Sequence, residues 1–304
     1  MSRSSVFRKT LPLLICLALV LLPVTVSAAA SSAESELIGG ADSGLINILL
    51  VGQDRREPGQ PARADAILLC SFCPEEKAVV ITSFLRDLYV QIPGHEGNRL
   101  NAAYALGGMD LLKQTLRENL NVHIDGCIDV DFSQFAGIID ILGGVTLELR
   151  QDEAEAINKT TDSHLSSGLQ PLNGQQALAY SRIRNLDADG DFSRTERQRK
   201  LLSSLLSSYR DAGFLKILSA IADTLPLIST NLSSKEILHI AAKLFPLLDD
   251  PTVIHNRIPA DGTYSYSTIR GMEVLTIDPE DARSQLVNTL KNVSKTAPNT
   301  DIFR

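Results

Sequence analysis

The stretch INILLVGQDRR, Ile46 to Arg56, decides the architecture. It is apolar from Ile46 to Val51 apart from Asn47; Gly52 then breaks the run, and Asp54, Arg55 and Arg56 follow. A short apolar run without polar alternation reads as a strand buried on both faces, with helices above and below it. Residues 66–72 and 78–84 repeat the pattern, each bounded by Gly, Pro or charge.

Leu100–Leu120 has apolar residues at helical spacing, as does 132–142 before Gly143 and Gly144 end it, and 126–130 supplies a strand between them. Further on, 175–180 predicts a short helix and 192–209 a longer one, with helices again at 214–227 and 234–248. Strands at 252–257 and 272–277 and a helix at 279–292 close the chain. Strands and helices interleave throughout. The expected fold class is therefore α/β, with a central mixed sheet covered by helices on both faces. At 304 residues and 44% hydrophobic content the chain has enough apolar material for such a core.

At the N-terminus, Arg3, Arg8 and Lys9 precede a mostly apolar run over 11–26, followed by Ser27, Ala28, Ala29 and Ala30. A charged start, an apolar middle and a small-residue end mark a targeting segment, and the run is a little short for a membrane span. Residues 1–30 are read as a signal peptide or membrane anchor, 31–43 as a linker, 44–295 as the functional domain and 296–304 as a tail. The domain is then expected outside the cytoplasm, at the outer face of the cell membrane, anchored or secreted. A formal net charge of −7 argues against general nucleic-acid binding, which leaves a basic footprint. Cys70 and Cys73 on one extended strand would lie roughly 10 Å apart, so free buried thiols are expected there and at Cys127 unless a turn at Pro74 folds the first two together.

Chemistry concentrates where strands end. Asp54 with Arg55 and Arg56, Arg63 with Asp65, and Arg86 with Asp87 flank three consecutive strands, and ligands of α/β sheets gather at strand ends. One such pair is usually a surface ion pair of little worth. Three of them, together with SRIRNLDADGDFSRTERQRK from Ser181 to Lys200, suggest convergence on an anion. On an extended segment Arg182 and Arg184 would share one face with Ile183 on the other, and Arg194 and Gln198 share a helix face. Asp191 either caps that helix or orients an arginine. Guanidiniums grip phosphate oxygens two at a time, so the inferred ligand is a phosphate-rich anion. The alternating Asp187, Asp189 and Asp191 imitate a calcium loop but lack its glycine and glutamate positions. Asp54 and Asp65 suit Mg²⁺ better, since that ion takes one or two carboxylates and completes its shell with water and phosphate.

Gly52-x-Asp54, Arg63-x-Asp65, Ser83-x-x-Arg86-Asp87, Asn101-x-Ala103-Tyr104, Asp131-Phe132, Gly143-Gly144-Val145, Leu172-x-Gly174-x-x-Ala177-Leu178 and Arg182-x-Arg184 through Asp191, Arg194, Arg197 and Gln198 occur in an order that resembles the LytR-CpsA-Psr family. The resemblance covers 46–202, with 231–248 and 258–277 similar to the family's more variable C-terminal part. Leu85 and the pair Ala64 and Ala66 stand where that family commonly has a proline and hydroxyl residues. The resemblance implies an α/β/α sandwich with an apolar pocket for a polyprenyl tail. It implies a phosphotransferase that moves a glycopolymer from a polyprenyl-pyrophosphate carrier to a peptidoglycan acceptor at the membrane surface. In that reading Arg63, Arg86, Arg182, Arg184, Asp191, Arg194 and Gln198 hold the substrate, Asp54 and Asp65 hold Mg²⁺, and Asp65, Arg86, Arg182 and Arg184 act in the chemistry. The alternatives are a polyprenyl-pyrophosphate hydrolase and a lipid-pyrophosphate binding protein without turnover. Leu100–Leu120 and 201–227 are the expected walls for a lipid tail, if their apolar stripes are not ordinary core.

Overall fold

The computed structural model describes residues 38–39, 44–54, 62–187, 190–209, 213–248 and 251–296. The targeting segment, most of the linker, Arg55, Arg56, Asp189 and residues 297–304 of the tail lie outside the described residues. Among the described residues no helix is long and apolar enough to cross a membrane.

The chain runs β1 (Ile46–Asp54), β2 (Arg63–Cys73), β3 (Ala78–Phe84), β4 (Tyr89–Val90), β5 (Asn98–Arg99), α1 (Leu100–Leu120), β6 (Gly126–Asp131), α2 (Phe132–Ile141), β7 (Val145–Leu149), α3 (Gln151–Thr161), β8 (Gly168–Leu172), α4 (Gly174–Ser181) and α5 (Asp191–Ser208). It continues through α6 (Phe214–Thr224), β9 (Ser229–Thr230), α7 (Ser234–Leu244), β10 (Thr252–Ile258), β11 (Tyr264–Ile269), β12 (Met272–Ile277) and α8 (Pro279–Thr296). The central sheet has the order β10-β3-β2-β1-β6-β9. It is mixed as expected: β1–β2, β2–β3 and β6–β9 are antiparallel, while β1–β6 and β3–β10 are parallel.

Alternate residues of each strand serve opposite layers. Leu49, Val51, Ile67 and Leu69 pack with Leu100, Leu112 and Leu116 of α1 and Leu286 of α8. Their neighbours Leu50, Leu68 and Cys70 meet Leu202 and Leu206 of α5 and Leu244 of α7. Both sets are apolar because both faces are covered, which is why the strands show no polar alternation. A register slip of one residue would exchange the two layers, so the pairing is tightly specified. Cys70, Cys73 and Cys127 are free and buried, Cys70 and Cys73 both within β2, and burial pushes the first two thiols up to about 12.

The β1–β2 register shifts between Gly52 and Gln53, where Gly52 faces Ala66 and Gln53 faces Ala64. Asp65 is the extra residue of a bulge, a device that re-aims a side chain at a sheet edge. Helix α1 spans the expected residues but is broken at Gly107 and Gly108, the latter at φ 64°, a conformation that glycine takes without penalty. Sequence reasoning missed the hairpin of β7 and β8 and the helix α3 between them. With α4 they build a second core around Ile139, Leu147, Ile157, Leu172 and Tyr180.

Candidate active site

Each motif residue is placed by a local cause. The bulge brings Asp65 into a cleft of about 1250 Å³ that Asp54, Arg63, Arg86, Asp87, Arg99, Asn101, Arg182 and Arg184 also line. Arg86 and Asp87 follow β3, and Asn101, buried in the first turn of α1, donates its backbone N–H to the Arg86 carbonyl at 3.1 Å. Helix α4 begins with a capping box between Asn173 and Gln176 and ends at Arg182. Its first residue must be glycine: a Cβ on Gly174 would lie 2.0 Å from the Ala136 carbonyl of α2. That close approach seats α4 so that Leu178 and Arg182 line the cleft. Asp131 caps α2 through the Gln134 N–H at 2.9 Å, and Phe132 beside it lies under the Arg182 guanidinium at 4.3 Å.

The expectation of an extended segment at 182–184 is corrected. Arg182 sits in a turn, its N–H donating to Ala179 O and that of Ile183 to Tyr180 O, both at 3.2 Å. Both arginines line the cleft as expected, but Ile183 between them lines it too while also packing on the second core. Asp191 opens α5 and orients arginines: its carboxylate lies 2.8 Å from Arg194, 3.2 Å from Arg86 and 3.6 Å from Arg184. Asp65 accepts from Arg86 at 2.6 Å and lies 3.9 Å from Arg184, and its carbonyl accepts from Arg194 at 3.0 Å. Asp87 sits 3.6 Å from Arg86 and 3.4 Å from Arg99. Six guanidiniums, of Arg63, Arg86, Arg99, Arg182, Arg184 and Arg194, thus face four carboxylates, of Asp54, Asp65, Asp87 and Asp191. Burial, with help from Arg184 and Arg86, pulls the Arg194 guanidinium down to about 10 against the attraction of Asp191 and Asp65. Burial also lowers Arg86, but Asp191, Asp65 and Asp87 outweigh it and its net shift is upward.

A second cavity, of about 530 Å³, opens beside the cleft and shares Asp65, Arg182 and Arg184 with it. Arg194, Gln198, Asp131, Ser181 and Thr224 also line it; the rest is largely apolar, from Leu50, Ala66, Leu68 and Val130 of the sheet to Phe135 and Ile138 of α2. Leu201, Leu202, Leu205 and Leu206 of α5 and Ile217, Ala220 and Ile221 of α6 complete it. Of the two stretches expected as walls, 201–227 contributes residues to this cavity. Leu100–Leu120 does not: its apolar stripe packs on the opposite face of the sheet against α8. Leu85 is buried against Phe192 and Leu275, and Ala64 is fully buried.

All the predicted residues among those described converge here, and Arg99 is an addition. Its only sequence signal was a cation at a helix start two residues before Asn101. Two arginines of the charged stretch serve the scaffold instead. Arg199 donates to Ser83 Oγ at 2.8 Å beneath β3. Arg197, almost fully buried, donates from Nε to Glu153 at 2.8 Å and from Nη2 to Asp187, and Nη1 reaches Ile183 O at 3.4 Å. It ties the turn that carries Arg182 and Arg184 to α3, and it holds the Asp187 carboxyl below its usual range. Asp187 is engaged by Arg150 and Arg197, not arranged as a calcium ligand. A lysine has no fork to reach three acceptors, so Arg197→Lys should cost about 1–2 kcal/mol, read as a drop in Tm of roughly 3–6 °C. An unchanged Tm would show that the fork is not holding this turn.

The LytR_cpsA_psr family model matches residues 24–291. The teichoic acid–peptidoglycan transferase TagT of Bacillus subtilis is 34% identical over 217 residues, 69% of this chain and 65% of TagT. The regulatory protein MsrR of Staphylococcus aureus is 36% identical over 166 residues, 54% of this chain and 49% of MsrR. The chain therefore spans about half to two thirds of the length of these relatives. A solved structure of Bacillus subtilis YwtF (TagT) with bound octaprenyl pyrophosphate lipid superposes with a TM-score of 0.64 at 27% identity, covering 88% of this chain and 98% of that one. With most of its charged motif residues gathered at the cleft and the adjoining cavity and the family model matched over nearly the whole chain, this protein belongs to the LytR_cpsA_psr family.

Proposed function

We propose that the chain transfers a glycopolymer from a polyprenyl-pyrophosphate carrier to a peptidoglycan hydroxyl at the outer face of the cell membrane. One observation carries the reading: a cleft with more guanidiniums than carboxylates opens into an apolar cavity, and Asp65, Arg182 and Arg184 stand at the junction. A diphosphate joined to a long hydrocarbon tail has that same division of polarity. The TagT structure with octaprenyl pyrophosphate and the transferase name of TagT support it.

In the reaction the acceptor oxygen attacks the sugar-linked phosphorus, the bond from that phosphorus to the bridging oxygen breaks, and polyprenyl phosphate departs. The acceptor proton passes to solvent or to a base. Phosphoryl transfer asks mainly for positioning and charge stabilisation. Arg182 and Arg184 at the junction hold the two phosphates, Arg86 and Arg63 extend the grip along the cleft, and Asp191 keeps Arg86, Arg184 and Arg194 from splaying apart. Asp65 and Asp87 are both engaged by guanidiniums.

Asp54 and Asp65, on neighbouring strands of the same cleft, offer hard carboxylate oxygens, and among the described residues no group of three acidic, His or Cys side chains is placed to hold a metal ion. That donor set fits Mg²⁺, which takes few protein carboxylates and fills its shell with water and phosphate. When bound there, Mg²⁺ supplies charge neutralisation on the phosphoryl oxygens.

The test incubates the purified chain with polyprenyl-pyrophosphate-linked glycopolymer and peptidoglycan, with Mg²⁺ and with chelator. Covalent glycopolymer on peptidoglycan and released polyprenyl phosphate, both lost on chelation, are expected. Free glycopolymer phosphate instead would make the protein a hydrolase, and binding without any product would make it a carrier.

A further inference from the structure

The carrier accounts for the cleft and the cavity, but it leaves the acceptor without a place. Tyr266 on β11 is 75% exposed, the most exposed large apolar side chain among those described. It is nonetheless held in place. Its ring meets Tyr264 edge-on at 5.6 Å, Tyr264 stacks on Phe192 at 5.2 Å, and the Arg257 guanidinium lies over Phe192 at 4.3 Å. Phe192 directly follows Asp191 and is buried against Leu85 and Leu275, so the aromatic row runs from the first turn of α5 out to solvent. The hairpin of β11 and β12 is tied to the cleft at two further points. Leu275 N donates to the Asp87 carbonyl at 3.0 Å. Arg99, which also faces Asp87, donates to the Glu273 carbonyl at 3.0 and 2.7 Å.

The strand around Tyr266 is uncharged; Thr268 shares its face, while Ser265 and Ser267 alternate to the other, where Ser267 Oγ meets Thr276 Oγ1 at 3.3 Å. The nearby cations are already matched, Arg257 by Asp261 and Arg270 by Glu96. An anionic membrane surface would call for unmatched cations among the aromatics. A neutral sugar calls for something else. One face of a pyranose presents C–H groups of slight positive character, which suit the negative face of a tyrosine ring, and its rim presents hydroxyls that a threonine on the same face, Thr268, can bond.

We infer that the β11–β12 hairpin is the acceptor subsite, where Tyr266 stacks a neutral sugar ring of the peptidoglycan strand and so presents a neighbouring hydroxyl at the cleft. The identity of the glycan rests on the transfer reading; the aromatic sugar platform does not. Tyr266 makes no contact that the core depends on, so Tyr266→Ala leaves the fold intact. Sedimentation with lipid-free, glycopolymer-free peptidoglycan should show binding weakened about 10-fold, the size of effect aromatic stacking commonly has, and Tyr266→Trp should retain it. In the transfer assay Tyr266→Ala should raise the acceptor KM about as much, with kcat unchanged and octaprenyl-pyrophosphate affinity at the wild-type level. Wild-type sedimentation of Tyr266→Ala would overturn the inference, as would loss of binding to anionic phospholipid vesicles with peptidoglycan binding intact. The two readings fail separately. Tyr266-dependent sedimentation without any transfer would remove the reaction and leave the subsite, whereas transfer with an unchanged acceptor KM in Tyr266→Ala would remove the subsite and leave the reaction.

Discussion

Arg182→Ala is expected to lower kcat/KM for glycopolymer transfer by about 10²-fold or more, the usual cost of losing one donor aimed at developing charge. Its Tm should stay within about 4 °C of wild type. The two expectations belong together because of how Arg182 is held. Among the described residues no carboxylate lies within ion-pair distance of it, and its one partner is the ring of Phe132 at 4.3 Å, a contact worth about 0.5–1 kcal/mol. Removing it leaves no buried charge unpaired, so stability has little to lose. Asp65→Ala makes the contrast: it takes the 2.6 Å partner from half-buried Arg86 and one of the two carboxylates beside Arg184, leaving Arg86 to Asp191 and Asp87 and Arg184 to Asp191, so activity and Tm should fall together. Near-normal transfer by Arg182→Ala, assayed on lipid-linked glycopolymer, would defeat the assignment of the cleft.

The layered fold was legible because its strands are buried on both faces. Runs such as Ile46 to Val51 and Ala78 to Phe84 carry no polar alternation, and few other structures explain that. The α5 window was equally legible, its length and the shared face of Arg194 and Gln198 both following from a period of 3.6. What escaped notice was weakly patterned. β7 does alternate, with Thr146 and Glu148 exposed between buried neighbours, but it is only five residues long, too short for its period to stand out. Helix α3 buries just Glu153, Ala154 and Ile157, too thin a stripe to stand out.

The site shows a similar division. Residue types and strand-end positions were sufficient to nominate Asp54, Arg63, Asp65 and Arg86. They could not reveal the bulge that turns Asp65 into the cleft, since a one-residue register shift is a property of two strands together. Nor could they sort the arginines of Ser181 to Lys200 by role. Arg194 faces ligand space while Arg197, three residues on, is consumed by Glu153 and Asp187, and that partition depends on where α3 and the β7–β8 hairpin lie. The apolar cavity was the least legible feature. A stripe of leucines that lines a cavity and one that fills a core have the same spacing, and only the gap between α6 and the sheet separates them.

That gap supports the second large effect, for Ala220→Trp. Helix α6 is rich in apolar residues yet none of its side chains is fully buried, because its inner face covers the cavity instead of closing on the sheet. Ala220 lies on that face with Ile217 and Ile221, opposite Ile138 of α2 and Leu205 of α5. An indole there would occupy space in a cavity of about 530 Å³, so the usual cost of overpacking a filled core should be largely avoided. A lipid tail would lose what the indole takes: each excluded methylene gives up about 0.8 kcal/mol, and one displaced isoprene unit suffices to weaken binding by about 10²-fold. Affinity for octaprenyl pyrophosphate should therefore fall at least that far, while inorganic pyrophosphate, which needs only the guanidiniums of the cleft, binds as before. Unchanged octaprenyl-pyrophosphate affinity in a folded Ala220→Trp protein would mean that the tail leaves the cleft by another route, and the coupling of cleft to cavity at Asp65, Arg182 and Arg184 would then carry no functional meaning.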